Sequence, residues 1–490
     1  MNRKLGTRNW NLPYPFLNTV LSPVQETITM AMTATRTITT INPATEAVIE
    51  QHEIDSPEIV DRKLEQAYSA FQQWRTVPIE ERAAGVRRLG AALRANKTAL
   101  ATMISTEMGK PIADAEGEVE KSAGNCDYYA DNGPAMLARE VVETTARESY
   151  VTFEPLGVIL AVMPWNYPVW QLIRHAAPAL VGGNVVVLKH ASNVTGSAKL
   201  IEQVARDAGL PEGAITTLVI PGSRVEAIID DPRIAAVTLT GSDAVGSKIA
   251  EAAGRNIKKS VLELGGSDAF IVLADADLDG AADYGARSRF QNAGQVCISA
   301  KRFIVVDSVA DDFVAKLKER AEAIPMGSPF ERTTKLGPMA RVDLRDEIER
   351  QMQATINEGA TLVTGGTRPD GPGYYFPASI VDHVTNEMTM FRQETFGPVA
   401  AIIRVPDEET AIAVANDSQY GLGGALWTRD IEKAKALARK IETGGVFING
   451  MTTSNWKVPF GGVKRSGYGR ELSTYGMREF VNIQTVWIEQ

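Results

Sequence analysis

Five short runs rich in β-branched and aliphatic residues, 158–162, 185–188, 216–220, 237–240 and 261–264, follow one another after Pro155. Helical stretches of about 10–15 residues separate them, which is the spacing of parallel βαβ units. This alternation admits few folds. Parallel strands need crossover connections, and helices on both faces then bury the sheet. An open α/β sheet of this kind binds ligands beyond the carboxyl ends of its strands. A second α/β series runs from 269 to 448.

The flanking segments read differently. Residues 57–78 and 80–130 carry apolar side chains at helical spacing, with a break at Gly109 and Pro111. The run Asp131, Asn132, Gly133, Pro134 is expected to end that block. Residues 140–155 and 480–488 read as strands. An apolar edge strand such as 480–488 is hazardous alone, so it should pair with 140–155 or with another subunit. Residues 1–32 hold Arg3, Lys4 and Arg8 but no acid before Glu26, and Pro13, Pro15 and Pro23 interrupt any helix. They read as a disordered extension rather than an amphipathic transit peptide, with Met30 or Met32 as an alternative start.

At 490 residues the chain should divide into two or three domains. A net charge of −9 with interspersed signs disfavours nucleic acid and anionic membrane surfaces. No apolar run has the length of a membrane span. Two cysteines in the whole chain make no disulfide framework and no cysteine zinc site, and fit a reducing cytoplasm.

Cys126 lies in a helical pattern and reads as structural. Cys297 follows Gln291, Asn292, Gly294 and Gln295 in a polar loop. A thiolate nucleophile needs such donors, and Gly294 would let the backbone approach a ligand. A buried small hydrophobe is the competing reading, and the two stand level. Asn166, in the loop from Met163 to Pro168, is either a rigid oxyanion donor or part of an aromatic-proline turn. Glu263, between Leu262 and Leu264 and beside Gly265 and Gly266, is a general base with a raised pKa or a carboxylate bonded to a backbone amide. Lys189 ends a strand and reads as a phosphate or ribose donor, or as a solvated lysine. The turn Thr240, Gly241, Ser242 and onward to Gly246 offers a helix N-terminus to a pyrophosphate, or is a serine-capped turn. Glu394 binds ribose hydroxyls or pairs with Arg392. The four histidines (His52, His175, His190, His383) are scattered and read as surface or packing residues.

Taken in order, the motifs PWN, LK, TGS, ELGG, GQxC, ExFGP and PFGG run from Trp165 to Gly462. Together they resemble the aldehyde dehydrogenase superfamily, from about residue 37 to the end, and most of all the bacterial succinate-semialdehyde dehydrogenases. The resemblance implies a Rossmann-like cofactor domain (33–133 and 155–262), a catalytic α/β domain (263–477) and a small oligomerisation β-sheet (134–154 and 478–490). It makes Cys297 the nucleophile, Glu263 the general base and Asn166 the oxyanion donor. It assigns Trp165, Lys189, Ser192, Gly241, Ser242, Gly246, Leu264, Glu394 and Phe396 to the cofactor. The implied reaction is oxidation of an aldehyde through a Cys297 thiohemiacetal and thioester. A cytoplasmic homodimer or homotetramer is expected, with no metal.

Many NAD-specific members carry a Glu three positions after the matching Lys. Here that position is Ser192, so NADP is expected to be preferred, with NAD still usable. For a substrate carboxylate, Arg174, eight residues after Asn166, matches an Arg of the succinate-semialdehyde enzymes. A surface ion pair is the alternative for it. Their second Arg is replaced by Gln291; Ser454 matches a third contact and Lys457 is a candidate replacement charge. Succinate semialdehyde is the expected substrate. A dehydrogenase for another small aliphatic or aromatic aldehyde, or a Cys-dependent esterase, is the alternative.

Overall fold

A computed structural model describes residues 37–489; the extension expected over 1–32 lies outside them. The first βα series forms a six-stranded sheet in the order Gly467–Tyr468, Lys259–Glu263, Ile234–Thr240, Val158–Met163, Val185–His190, Ile215–Thr217. All neighbours are parallel except Gly467–Tyr468, a late segment that returns to pair antiparallel with Lys259–Glu263. Every residue of the strands Val158–Met163 and Val185–His190 is buried. That explains continuous apolar runs where a half-exposed sheet would alternate. The carboxyl ends of four strands, at Met163, His190, Thr240 and Glu263, bring the sequence-predicted motifs to one edge.

The second series forms a seven-stranded sheet, in the order Thr361–Thr364, Ser379–Asp382, Val399–Val405, Ala300–Val306, Asp268–Val272, Gly424–Trp427, Val446–Ile448. Only the edge strand Thr361–Thr364 is antiparallel. The third sheet joins the expected terminal strands. Val481–Ile488 pairs antiparallel along the whole of Glu148–Pro155, with Glu140–Val141 beyond. Among the described residues no helix is long and apolar enough to cross a membrane.

The N-terminal block consists of the helices Pro57–Trp74, Ile79–Ala95, Lys97–Met108 and Ile112–Met136. The break falls at Gly109 as expected, with φ of 77°. The stop at Asp131–Pro134 does not occur, for the last helix continues to Met136. Pro134 falls in the final turn, where it removes one backbone bond at most. Gly133 is there for close approach instead. A Cβ on it would lie 2.7 Å from Cγ1 of Val181, in the helix Pro168–Val181.

One buried carboxylate ties these helices to the edge where the motifs gather. Glu118 is ion-paired with Lys110. Its other oxygen accepts from the backbone amides of Val169 (2.9 Å) and Trp170 (3.0 Å), the free amides that open the helix Pro168–Val181. The Lys110 ammonium also lies 3.6 Å from the centre of the Tyr167 ring. The loop carrying Asn166 is thus anchored from behind. Glu118→Ala should cost about 3–5 kcal/mol of unfolding free energy in urea, because it orphans the buried Lys110. A loss under about 1 kcal/mol would refute this anchoring role.

Candidate active site

The segment Gln291–Gly294 carries three successive left-handed residues: Asn292 (φ 52°), Ala293 (φ 53°) and Gly294 (φ 70°). For the two with side chains this costs about 1–3 kcal/mol each. Side-chain hydrogen bonds hold the conformation. Asn292 Nδ2 donates to the Asn166 carbonyl at 3.1 Å, and Asn166 Nδ2 donates to the Gln295 carbonyl at 3.0 Å. Gln295 donates to the Asn292 carbonyl at 3.0 Å and accepts from the Ala340 amide at 2.9 Å. Gly294 serves the fold rather than a ligand, since a Cβ on it would strike the Gly397 carbonyl. Buried Arg289 completes the clamp by donating to Ser299 Oγ (3.2 Å) and to the carbonyls of Thr395 (3.1 Å) and Gly397. The asparagine and glutamine amides expected near the thiol therefore fix its loop, and Asn166 is joined to that loop directly.

Cys297 is half-buried at the end of this loop. Burial pushes its thiol up to about 11, with Lys301 and then Arg174 pulling the other way. Lys301 was not singled out from sequence. Its ammonium donates to the Cys297 carbonyl (2.7 Å) and to Glu394 Oε1 (3.0 Å). The signal was available, as Lys301 and Arg302 are buried cations in an otherwise apolar strand. Glu394 Oε1 also accepts from the Gly266 amide at 3.0 Å, and its other oxygen lies against Gly265. Arg392 pairs with Asp417 instead (2.8 Å), so the proposed Arg392–Glu394 pair does not form.

Glu263 is 2% exposed, and among the described residues neither carboxylate oxygen has a hydrogen-bond partner. Burial, then the nearby Glu471, holds its pKa well above the usual carboxylate range. A backbone-bonded carboxylate, the alternative reading, is not what the fold makes. Glu263 lies against Gly461, where a Cβ would come within 2.7 Å of its Oε1. Arg174 is not on the surface. It is buried, ion-paired with Glu471, and its guanidinium carbon lies 4.8 Å from the Phe460 ring centre. Glu471 is a partner that no local pattern announced.

Trp165 and Phe396 meet edge to face at 5.8 Å, and the Lys301 ammonium lies 5.7 Å from the centre of the Phe396 ring. Lys189 is 8% exposed, and among the described residues no carboxylate pairs with it; Ser192 is exposed nearby in sequence. Ser242 caps the helix Asp243–Arg255 by accepting from the Val245 amide at 3.4 Å, so the turn reading holds for its side chain. Gly246 admits Leu264, which would lie 2.6 Å from a Cβ there. The Gly241 amide donates to the Glu263 carbonyl at 3.0 Å.

Gln291 is half-buried at the head of the thiol loop, and Lys457 is exposed. Ser454 Oγ instead accepts from Lys121 at 2.7 Å. Cys126 is fully buried, and burial pushes its thiol far above its ordinary value. His52, His175 and His190 are buried, and among the described residues no cluster of His, Cys, Asp or Glu has metal-ligand geometry.

A thiol near 11 is neutral at physiological pH, and only the thiolate is alkylated. Labelling of Cys297 by iodoacetamide, followed by peptide mass spectrometry, should climb about tenfold per pH unit from 7 to 9. A plateau below pH 9 would show that the resting thiol is already ionised.

The family model described as the aldehyde dehydrogenase family matches residues 30–486. An NAD(P)+ succinate semialdehyde dehydrogenase of Escherichia coli K12 is 47% identical over 94% of this chain and 99% of that protein. A probable NADP+ succinate-semialdehyde dehydrogenase of Synechocystis is 48% identical over 92% of this chain and 99% of that one. The solved structure of succinic semialdehyde dehydrogenase from Streptococcus pyogenes, with NADP+ as the cofactor, superposes with a TM-score of 0.90. It is 41% identical and covers 92% of this chain and 100% of its own.

Proposed function

The chain belongs to the aldehyde dehydrogenase family, and from that premise we propose the following reading of its site. The protein is an NAD(P)-dependent oxidoreductase that converts succinate semialdehyde to succinate. Relatives of that name at 47% and 48% identity over nearly the full length support the substrate. The observation that carries the chemistry is a half-buried thiol close to a buried carboxylate, Glu263, that no protein group satisfies.

The Cys297 thiol gives its proton to the unpartnered Glu263 carboxylate, which passes it on to solvent, and the thiolate, favoured by Lys301 and Arg174, attacks the aldehyde carbon. Asn166 Nδ2 has one N–H engaged by Gln295 and a second free for the oxyanion, which the Cys297 amide shares. A nicotinamide held beside Trp165, Phe396 and Glu394 would supply the hydride acceptor that the conversion of thiohemiacetal to thioester needs. Glu263 then takes a proton from water, which hydrolyses the thioester. Its raised pKa matches that task near neutral pH.

The residues present fit NADP. Lys189 stands without an acidic partner, and Ser192 puts no carboxylate where a 2′-phosphate would sit. Glu394, lying across Gly265 and held by Lys301, is set for ribose hydroxyls, with Trp165 and Phe396 beside it. The start of the helix Asp243–Arg255, at Ser242 and Asp243, would hold the pyrophosphate; the Gly241 amide is taken by the Glu263 carbonyl, and Leu264 packs under Gly246. NADP is the preferred cofactor, and NAD is also used.

Within the described residues we read a cofactor domain (37–136 and 155–262), a catalytic domain (263–477) and an oligomerisation sheet (Glu140–Val141, Glu148–Pro155 and Val481–Ile488), the expected boundary at 133 moving to the helix end at Met136. Ile483 and Trp487 are 62% and 46% exposed on the free edge strand, which favours a homodimer or homotetramer; the two free thiols suit a cytoplasmic location.

The test is NADPH absorbance with succinate semialdehyde. Cys297→Ser should lower kcat roughly a thousandfold or more. Persistent turnover, or ester hydrolysis faster than aldehyde oxidation, would favour another chemistry. Ser192→Glu should move the NADP-to-NAD ratio of kcat/KM roughly tenfold or more toward NAD, by like-charge repulsion of the 2′-phosphate. An unchanged ratio would refute that cofactor assignment.

A further inference from the structure

A substrate carboxylate taken into a buried site needs a cation not already neutralised, because an unpaired buried charge is costly. The expected cations do not meet that need. Arg174 is committed to Glu471, Gln291 is neutral, and Lys457 is exposed. Of the other buried ammonium groups, Lys110 is committed to Glu118 and Lys301 to Glu394.

Lys121 is different. It sits in the helix Ile112–Met136, half-buried, and among the described residues no carboxylate comes within ion-pair distance. Its Nζ lies 4.3 Å from the Trp170 ring centre and donates to Ser454 Oγ at 2.7 Å. One turn along the helix, Gly124 receives the Trp456 indole, where a Cβ would lie 3.1 Å from the ring. The helix face is therefore packed against the loop that carries Ser454. Trp170, Trp456 and Phe460 belong to the apolar cluster on which Cys297 itself packs. The same loop runs on to Gly461, against Glu263. Lys121 thus stands on the wall of the Cys297 site.

We infer that the Lys121 ammonium, together with the Ser454 hydroxyl, binds the carboxylate at the far end of the aldehyde substrate and supplies the charge missing at Gln291. This rests on the reading of the substrate as a semialdehyde. Ser454 accepts from Lys121 and so keeps its own O–H free to donate to a carboxylate oxygen. The ammonium keeps two further N–H groups. Burial and the neighbouring Arg174 pull the lysine down to about 8, so an arriving anion relieves a repulsion already present.

The experiment compares KM for succinate semialdehyde with KM for butanal, in the full-length enzyme with NADP. Lys121→Met should raise the ratio of the two at least tenfold, mainly through KM rather than kcat. Lys121→Arg, which keeps the charge, should restore most of it. Parallel rises for both aldehydes would overturn the role of Lys121. If Lys121→Met does not fold, Lys121→Gln, which keeps the Ser454 hydrogen bond without the charge, replaces it with the same expected ratio. The wild-type enzyme separates this inference from its premise. A wild type that favours butanal overturns the semialdehyde reading and the inference with it. A wild type that favours succinate semialdehyde, with an unchanged ratio in both variants, overturns Lys121 alone.

Discussion

The site depends on a loop that its own residues resist. Left-handed Asn292 and Ala293, before Gly294 and Cys297, are unfavourable locally, and they persist because four side-chain hydrogen bonds and the Arg289 clamp define the loop. Asn166 reaches this loop from the six-stranded sheet. Thr395 and Gly397 reach it from the segment bearing Glu394 and Phe396. The groups assigned to nucleophile, oxyanion and ribose are therefore fixed to one another through the backbone of a few residues.

Buried charge organises the rest. Lys110 with Glu118, Arg174 with Glu471, and Lys301 with Glu394 are each paired, as burial requires. Against that background the exceptions stand out. Among the described residues, the Glu263 carboxylate has no hydrogen-bond partner, and Lys121 and Lys189 have no acid. These three lie beside the thiol, in the substrate wall and at a sheet edge suited to a cofactor. Groups left unsatisfied by the protein are the ones available to water, substrate and cofactor.

Much of this was legible along the chain. The βα alternation foretold the parallel sheet, because strands buried on both faces cannot hide their aliphatic runs. The strand 480–488 announced its need for a partner, and 148–155 provides it. Motif order brought Cys297, Glu263, Asn166 and Glu394 into one reading, since each lies in a turn with its own local signature. What escaped was set by tertiary contact. Lys301, Glu471, Arg289 and Lys121 lie in ordinary helix or strand patterns or in plain loop, and only packing reveals their partners. Gly133 and Gly294 looked like a turn and a ligand approach, yet both exist to let backbone or helix pass closely. Glycine marks close approach in sequence without saying to what.

The account turns on a covalent bond between Cys297 and the carbon of the aldehyde, released by Glu263. Mass spectrometry of Glu263→Gln protein mixed with succinate semialdehyde and NADP tests it most directly. A succinyl thioester should accumulate on the peptide containing Cys297, with NADPH formation stopping near one equivalent per site. An unmodified Cys297 under continuing NADPH formation would contradict it.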